Sequence, residues 1–289
     1  MSNSLKNYAL RSLARITRRC HPRGTNRLLT RIYNPDHRRI DYLQTIIGYD
    51  SRLRINIDTR DFLEWLVFFY GHHEPEVVRE IQRLFRPGFV AFDIGANSGC
   101  HTLVMADQAG EGGRIFSAEP NPLARQRLKE NIELNHLSNV TVLPRAFSDR
   151  PGLQNLFVPV PGTANRGVAS LYSENVNYDK EEIEVEIRTL DGEVAERGLD
   201  RLDFIKVDTE GNELKVLQGG RESLKRFQPY LVFEYDHRAW NNSGADFEEA
   251  AEFLSELGYS LSLLGSRSRI SPPDPLPPTA NFLAVPRSR

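Results

Sequence analysis

The sequence predicts an α/β fold with a mostly parallel sheet and helices on both of its faces. Residues 90–104 hold a short apolar run, a turn with two glycines and a helical pattern, which indicates strand, turn and helix. From residue 89 onward strand and helix patterns alternate, as expected for a parallel sheet with right-handed crossovers. A helix that starts at a glycine turn directs free N–H groups at a bound ligand. We therefore expect a nucleotide-type pocket at this turn.

The composition is that of a globular protein of 289 residues. A formal net charge of -2 gives the whole chain no attraction to nucleic acid or to an acidic membrane. The two cysteines, Cys20 and Cys100, are too few for a disulfide framework and fit a reducing compartment. The sequence shows neither a membrane-spanning apolar run nor a secretory signal, so we expect a cytoplasmic protein.

The first segment, residues 1–45, is predicted to be a basic extension. Residues 1–40 carry ten Lys or Arg against a single acid, Asp36. Apolar residues at helical spacing predict an amphipathic helix with one stripe formed by Leu5, Ala9, Leu13 and Ile16. Such a helix can bind a membrane surface or a polyanion, although a solvated helix is the more common meaning of a charged run.

Residues 46–88 are predicted to form a cap of one strand and two helices. Alternating apolar residues predict a half-exposed strand, and they are Leu53, Ile55 and Ile57. Residues 62–70 have the pattern of a buried helix. A second helix opens at Glu74-Pro75-Glu76, because proline and flanking acids suit the first helical turn.

The main domain is predicted to span residues 89–289. An insertion at 146–200, with strands at 153–158 and 183–187, interrupts the alternation, and a proline-rich loop at 266–279 joins the last two strands. In chain order, the other predicted strands are 90–94, 114–119, 140–143, 202–207, 230–234, 259–264 and 280–285. The first predicted helix between them ends at about residue 108, and the others lie at 122–134, 213–227 and about 246–257.

Acidic residues stand at or just past the ends of several predicted strands, and they are Asp93, Glu119, Asp208 with Glu210, and Glu234. Ligands of parallel α/β sheets bind outside the carboxyl ends of the strands. Glu119 follows Gly95 by 24 residues, close to the spacing at which dinucleotide folds bind a ribose. Its two oxygens match the two donors of a ribose diol.

The turn Gly95-Ala-Asn-Ser-Gly99 departs from the dinucleotide pattern G-x-G-x-x-G. Asn97 replaces the middle glycine that lets a pyrophosphate approach. The two glycines lack a Cβ and are expected to let a ligand lie against the backbone. The turn therefore favours an adenosine ligand without a diphosphate, and Asp93 would then face an amino-acid ammonium.

Several motifs resemble the FkbM-type family of S-adenosylmethionine-dependent methyltransferases. The most specific is Ile-Lys-Val-Asp-Thr-Glu-Gly-Asn-Glu-Leu at 205–214, and the others lie at 93–99, 117–121, 146–149 and 217–220. The resemblance covers roughly residues 50–264. It implies a Rossmann-like class I methyltransferase fold of seven strands with an antiparallel last strand. It also implies O-methylation of hydroxyls on sugars, glycans or natural products, with S-adenosylmethionine as the methyl donor.

The resemblance further implies which residues bind the donor. By position in the matched motifs, these are Asp93, Gly95, Asn97 and Gly99 for the methionine part, Glu119 and Asn121 for the ribose, and Ser148 and Asp149 for the adenine edge. The last pair precedes Pro151-Gly152, so ordinary turn chemistry would also explain it.

Catalysis is predicted to depend on the acids after the fourth strand of the main domain. An attacking hydroxyl must lose its proton to a base. Lys206, Asp208 and Glu210 share one face in extended geometry. We predict that Asp208 or Glu210 accepts the proton, with Glu234 across the pocket. In the alternative, Lys206 forms a salt bridge that fixes the strand end and Glu210 caps the next helix.

A required metal is not predicted. The same acids, together with Asp236 and His237, offer oxygen ligands that Mg²⁺ could use, but no spacing is diagnostic. His72-His73 and His101 lack partners at metal-ligand spacing. We expect these histidines to be structural or solvated.

Three other functions fit parts of the sequence. A nicotinamide-dependent oxidoreductase would use the same turn and Glu119, although Asn97 and the block at 205–211 argue against it. An RNA-binding or RNA-modifying protein would use the basic extension. A protein that binds S-adenosylmethionine without catalysis is the third. For the leading function, the expected partner is a small-molecule or glycan acceptor rather than nucleic acid.

Overall fold

A seven-stranded sheet forms the centre of the computed structural model, which describes residues 3–19, 29, 44–50, 52–160, 163, 167–265 and 276–288. The strands are β1 (Gln44–Gly48), β2 (Arg54–Asp58), β3 (Val90–Ile94), β4 (Arg114–Ala118), β5 (Val140–Leu143), β6 (Ala146–Phe147), β7 (Gly152–Pro159), β8 (Lys180–Arg188), β9 (Phe204–Val207), β10 (Tyr230–Asp236), β11 (Tyr259–Leu263) and β12 (Thr279–Pro286). The helices are α1 (Asn3–Arg19), α2 (Phe62–Tyr70), α3 (Pro75–Leu84), α4 (Cys100–Ala109), α5 (Pro122–Leu134), α6 (Leu190–Glu196), α7 (Glu213–Gln218), α8 (Arg221–Phe227), α9 (His237–Ser243) and α10 (Phe247–Glu256).

The strand order of the central sheet is β11-β12-β10-β9-β3-β4-β5. Strand β3 pairs in parallel with β4 and β9, and β9 pairs in parallel with β10. Strand β12 runs antiparallel to both of its neighbours, β10 and β11. The predicted sheet of seven mostly parallel strands with an antiparallel last strand is therefore confirmed.

Helices cover both faces of this sheet. Successive side chains of a strand point to opposite faces, and in β9 Phe204 packs into one hydrophobic core while Ile205 packs into the other. The first core contains the apolar residues of α2, α3 and α4. The second contains those of α6, α7 and α10. This arrangement explains why the central strands are apolar throughout instead of alternating.

Helix α1 packs against α2 through a face that the sequence indicated only in part. The predicted helix is present, and Leu13 of the predicted stripe packs against the core beside the buried Ala14 and Thr17, whereas Ile16 is 62% exposed. The Thr17 hydroxyl donates to the carbonyl of Phe69 at 2.5 Å, and Arg18 Nε donates to that of Phe68 at 2.8 Å. These carbonyls lie at the end of α2, where no helical N–H follows to bond them, so polar capping adds to apolar packing in orienting α1.

None of the helices in the described ranges is both long and apolar enough to cross a membrane.

The cap contains the predicted helices α2 and α3 and one strand more than expected. Strand β1 pairs antiparallel with β2, and it lies across the predicted boundary at residue 45. The Asp61 carboxylate begins α2 by accepting from the N–H groups of Leu63 and Glu64. The division of the chain into three segments stays a prediction.

The insertion folds into a small sheet of its own. Strands β7 and β8 confirm the two predicted strands, and β6 adds a third, too short to be recognised in the sequence. The predicted helix at 213–227 is two helices, α7 and α8, separated by Gly219-Gly220. Helices α6 and α9 were not predicted. The predicted proline-rich loop lies mostly outside the described residues.

The two glycines of the central turn serve chain packing. Gly95 has a φ of 87°, and a Cβ on it would lie 1.6 Å from the carbonyl oxygen of Asp208. Gly99 has a φ of 95°, and a Cβ there would lie 2.7 Å from Leu128 Cδ1. These glycines make room for the chain after β9 and for α5, and contact of the turn with a ligand stays a prediction.

We predict that Gly95→Ala destabilises the protein by roughly 2–4 kcal/mol, because the new methyl group overlaps backbone that cannot rotate away. Gly244→Ala is the matched control, since Gly244 also has a positive φ of 73° but has no atom within 4 Å of its missing Cβ. It should cost only about 1–2 kcal/mol. Urea unfolding of the three proteins measures both values, and equal losses for the two variants would contradict the packing explanation.

Candidate active site

A cavity lies outside the carboxyl ends of β3, β4, β9 and β10, where parallel α/β sheets bind ligands. It holds about 1170 Å³ of space free of atoms, part of it open to solvent. The predicted residues that line it are Gly95, Asn97, Glu119, Lys206, Asp208, Glu210 and Glu234. The sheet therefore brings together the predicted ribose ligand and all four predicted catalytic residues.

Glu119 occupies one end of this cavity and is 4% exposed. Its Oε2 accepts from the N–H of Asn97 at 2.7 Å, and its Oε1 accepts from the N–H of Asn121 at 2.8 Å. Burial raises the pKa of Glu119 to about 7, although these two N–H groups favour the charged form. Each oxygen keeps a further lone pair, so the carboxylate can accept from two neighbouring hydroxyls.

The amides that orient Glu119 are themselves fixed by their side chains. Asn97 has a φ of 49°, and its Oδ1 accepts from the N–H of Ser98 at 2.7 Å. Asparagine tolerates this left-handed conformation better than most residues. Asn121 Oδ1 caps α5 by accepting from the N–H of Leu123 at 3.1 Å. Both asparagines therefore position Glu119 through their backbone.

A buried ion pair stands at the other end of the cavity. Lys206 is 2% exposed, and its Nζ lies 2.8 Å from Asp208 Oδ2. Burial alone would raise the pKa of Asp208, but the Lys206 ammonium outweighs it and holds this pKa below its ordinary value. Burial opposes the charge of Lys206 as well, yet Asp208 keeps its pKa above the ordinary value. The pair is therefore charged at neutral pH.

Two further acids beside this pair behave differently. Burial, followed by the charge of Asp208, raises the pKa of Glu210 to about 8. The same two causes raise the pKa of Glu234 well above its ordinary value. Both carboxyl groups are therefore mainly protonated at neutral pH, and Glu234 hydrogen bonds Asp208. Of the structural alternative, the Lys206 salt bridge is present, but no side chain in the described part of the chain caps the helix that starts at Glu213.

Some predicted cofactor residues lie outside the cavity lining. Asp93 is fully buried and accepts from the Thr102 hydroxyl at 2.6 Å. Ser148 donates to Asp149 at 3.1 Å in the turn after β6. Gly99 and Asn121 do not line the cavity either. For these positions direct contact with a ligand stays a prediction.

The sequence missed two histidines of the cavity wall. His73, from the loop between α2 and α3, and His101, from the first turn of α4, lie with ring centroids 5.8 Å apart. Nothing local in the sequence links them, since only the fold brings α4 against that loop.

Asp236 and His237, which could offer ligands to Mg²⁺, have other partners. Asp236 accepts from the N–H of Ala239 at 2.9 Å and from the Thr279 hydroxyl at 2.8 Å, and His237 contacts Tyr235 and Asn241. Across the described parts of the chain, no group of three or more His, Cys, Asp or Glu side chains is arranged to hold a metal ion.

An apolar wall faces the glycine turn. Helix α2 contributes Phe62, Leu63 and Leu66, and the insertion contributes Leu156 and Leu171. Phe62 is 40% exposed at the rim. A mostly apolar cavity with a few convergent polar groups is typical of a site for a small organic molecule.

Residues 93–261, more than half of the chain, match the methyltransferase FkbM domain. The chain belongs to this family. The resemblance inferred from the motifs is thereby confirmed, and the family supports methyltransferase activity. The motifs that lie within the matched range include the glycine turn, Glu119 and the block around Asp208.

Three methyltransferases are among the proteins whose sequences are similar to this chain. The hexuronic acid methyltransferase AglP of Haloferax volcanii is 28% identical over 193 residues, which cover 66% of this chain and 71% of AglP. The 2-O-methyltransferase NoeI of Sinorhizobium fredii is 31% identical, covering 55% of this chain and 69% of NoeI. The methyltransferase sdnD of Sordaria araneosa is 30% identical, covering 59% and 73%.

The raised pKa of Glu210 predicts a pH-dependent stability. A carboxyl group whose pKa rises from 4.5 to about 8 on folding contributes stability that is complete below about pH 4.5 and is lost as pH rises through about 8. Glu210→Gln should therefore gain stability relative to wild type as the pH is raised from about 5 to about 9. Thermal melts measure this difference.

The matched control for that measurement is Glu252→Gln, on the exposed side of α10. This control should keep a constant offset from wild type across the same pH range. A Glu210→Gln offset that is equally constant would show that Glu210 titrates normally.

Proposed function

We propose that this protein transfers a methyl group from S-adenosylmethionine to a hydroxyl of a sugar, glycan or natural product. The observation that carries the proposal is the pairing of two chemistries in one cavity: Glu119 at one end, and Lys206–Asp208 with two protonated acids at the other. The names of the relatives support the acceptor class, since one methylates a hexuronic acid and another is a 2-O-methyltransferase.

The residues at the Glu119 end fit the donor. A ribose offers two neighbouring hydroxyl donors, and the buried Glu119 carboxylate has two acceptor sites left after binding two amides. The turn from Gly95 to Asn97 forms the floor beside it. The bound donor supplies a methyl group that is already activated by its sulfonium charge, so that positioning provides much of the rate.

The other end of the cavity can bind and orient a hydroxyl. Asp208 is ionised and accepts hydrogen bonds, whereas protonated Glu234 and Glu210 can donate them. The sequence assigns proton removal to Asp208 or Glu210. Lys206 weakens Asp208 as a base, and Glu210 is the stronger base of the two but is charged only as the pH approaches about 8.

The other functions considered from the sequence are not favoured. The family match spans both the turn and the block around Asp208. A nicotinamide-dependent oxidoreductase would not explain this block. RNA recognition would depend on the basic extension, which lies outside the matched range.

Replacement of Glu119 by glutamine is predicted to weaken S-adenosylhomocysteine binding about tenfold or more, because one ribose hydroxyl then meets an NH₂ donor in place of an acceptor. Isothermal titration of the wild type, Glu119→Gln and the surface control Glu252→Gln measures this effect. The control should bind as wild type does.

A wild-type protein that does not bind S-adenosylhomocysteine, or that binds NAD more tightly, would contradict the donor assignment. The methyl acceptor is found by incubating the protein with labelled S-adenosylmethionine and extracts of the producing cell, followed by mass analysis of the labelled products. Label on an oxygen of a sugar, glycan or natural product is the expected result, and label on nitrogen or on RNA would overturn the proposal.

A further inference from the structure

Three side chains from two distant segments meet at one carboxylate oxygen beside the cavity. His73 Nε2 lies 3.6 Å from Glu74 Oε2, and His101 Nε2 lies 3.6 Å from the same atom. Both Glu74 Oε2 and His101 Nε2 are buried without a hydrogen-bond partner. Buried polar atoms are nearly always bonded in folded proteins, so an arrangement that leaves two of them open suggests a functional site.

The fold holds Glu74 in this place. Its other oxygen, Oε1, accepts from Asn281 Nδ2 of β12 at 2.6 Å. Its backbone has a φ of 46°, a left-handed conformation that is costly for a residue with a side chain and is typical of functional positions. Pro75 follows at the start of α3 and fixes the chain direction. The carboxylate is therefore presented to the two imidazoles by the hydrogen bond from Asn281 and by the fixed backbone of Glu74 and Pro75.

Of the two imidazoles, His73 is the one that a substrate can reach. Its side chain is 25% exposed and lines the cavity together with Asp208 and Glu234, whereas the side chain of His101 is 5% exposed. With Nε2 of His73 directed at Glu74, the second ring nitrogen, Nδ1, is left for proton transfer. A carboxylate on one nitrogen and a free second nitrogen is the arrangement by which an acid orients a histidine base.

The acids of the cavity are poorly suited to accept the proton at neutral pH. Asp208 is held by Lys206 at 2.8 Å, and Glu210 and Glu234 retain their protons at neutral pH. Burial, with the nearby Lys206 ammonium, keeps the pKa of His101 well below its ordinary value, so His101 stays a neutral neighbour. His73 is thus a base that is open to the cavity and not already paired with a cation.

We propose that His73 accepts the proton of the acceptor hydroxyl during methyl transfer and that Glu74 orients its ring. The proposal rests on the proposed function. As the new oxygen–carbon bond forms, the sulfur–carbon bond of the donor breaks and its electron pair leaves with sulfur. The hydroxyl proton passes to His73 Nδ1, and the resulting imidazolium lies beside the Glu74 carboxylate. The 3.6 Å separation is long for a hydrogen bond, and such contacts often tighten only when substrate is bound.

Several titratable and charged groups near His73 affect the pH dependence of this step. The titratable and charged groups around His73 come from the loop itself, from α4, and from the strands β9 and β10; they are His72, Glu74, His101, Lys206, Asp208 and Glu234. Variants of His73 must therefore be compared with variants of the acids under the same conditions.

The experiment measures the initial rate of label transfer from methyl-labelled S-adenosylmethionine into an extract of the producing cell, from about pH 5.5 to about pH 9. The proteins are wild type, His73→Gln, Glu74→Gln, Asp208→Asn and Glu210→Gln, with His136→Gln as the control at an exposed histidine. S-adenosylhomocysteine affinity is measured for each protein by titration, which separates donor binding from proton transfer.

We expect His73→Gln to bind S-adenosylhomocysteine as wild type does but to lose about 100-fold or more in rate, and to lose the rise of rate with pH that wild type shows. Added imidazole should restore part of that rate. Glu74→Gln should lose less, about tenfold, and its rate should level off at a lower pH, because no carboxylate stabilises the imidazolium. His136→Gln should match wild type.

Two results would overturn the proposal. The first is a His73→Gln protein that keeps the wild-type rate and pH profile while Asp208→Asn or Glu210→Gln abolishes turnover, which would return the proton to an acid. The second is a loss in His73→Gln that follows weaker donor binding and is not relieved by imidazole, which would make His73 structural. Failure of the wild type to bind S-adenosylhomocysteine is a separate result, and it would refute the methyltransferase function itself.

Discussion

The ion pair between Lys206 and Asp208 is the interaction on which the rest of the site depends. A lysine that is 2% exposed in a central strand would be prohibitively costly without a partner, and Asp208 lies 2.8 Å away. Buried pairs of this kind contribute little net stability, but loss of one partner leaves an uncompensated charge. The charge of Asp208 is also the second cause, after burial, of the raised pKa values of Glu210 and Glu234. The carbonyl of Asp208 also fills the space beside Gly95. Asp208 therefore contributes both to the packing of the turn and to the charges of the site.

The sequence was sufficient for the sheet and for most of the cavity wall. Apolar strands separated by helical patterns predicted a parallel sheet, and parallel strands place their carboxyl ends at one edge. That rule alone brings Glu119, Asp208 and Glu234 together, although they are far apart in the chain. Asn97 illustrates the same success: its departure from the dinucleotide pattern was visible in the sequence, and the family match agrees with the conclusion drawn from it.

What the sequence could not provide are contacts between distant segments. The backbone after β9 fills the space where a side chain of Gly95 would lie. Helix α1 was expected to be a solvated helix or a membrane-surface or polyanion contact, but Thr17 and Arg18 donate to carbonyls at the end of α2. His73 and His101 have no shared motif, and only the packing of α4 against the loop before α3 makes them neighbours. Local periodicity contains no information on any of these three contacts.

The most direct test of the account is a crystal structure of the protein with S-adenosylhomocysteine. We predict that both ribose hydroxyls bond to Glu119 and that the sulfur lies between the turn at Gly95 and the Lys206–Asp208 pair, facing the end of the cavity that His73 lines. An adenosine bound away from Glu119, or a sulfur directed away from the acid cluster, would contradict the central claim that one cavity joins donor binding to methyl transfer.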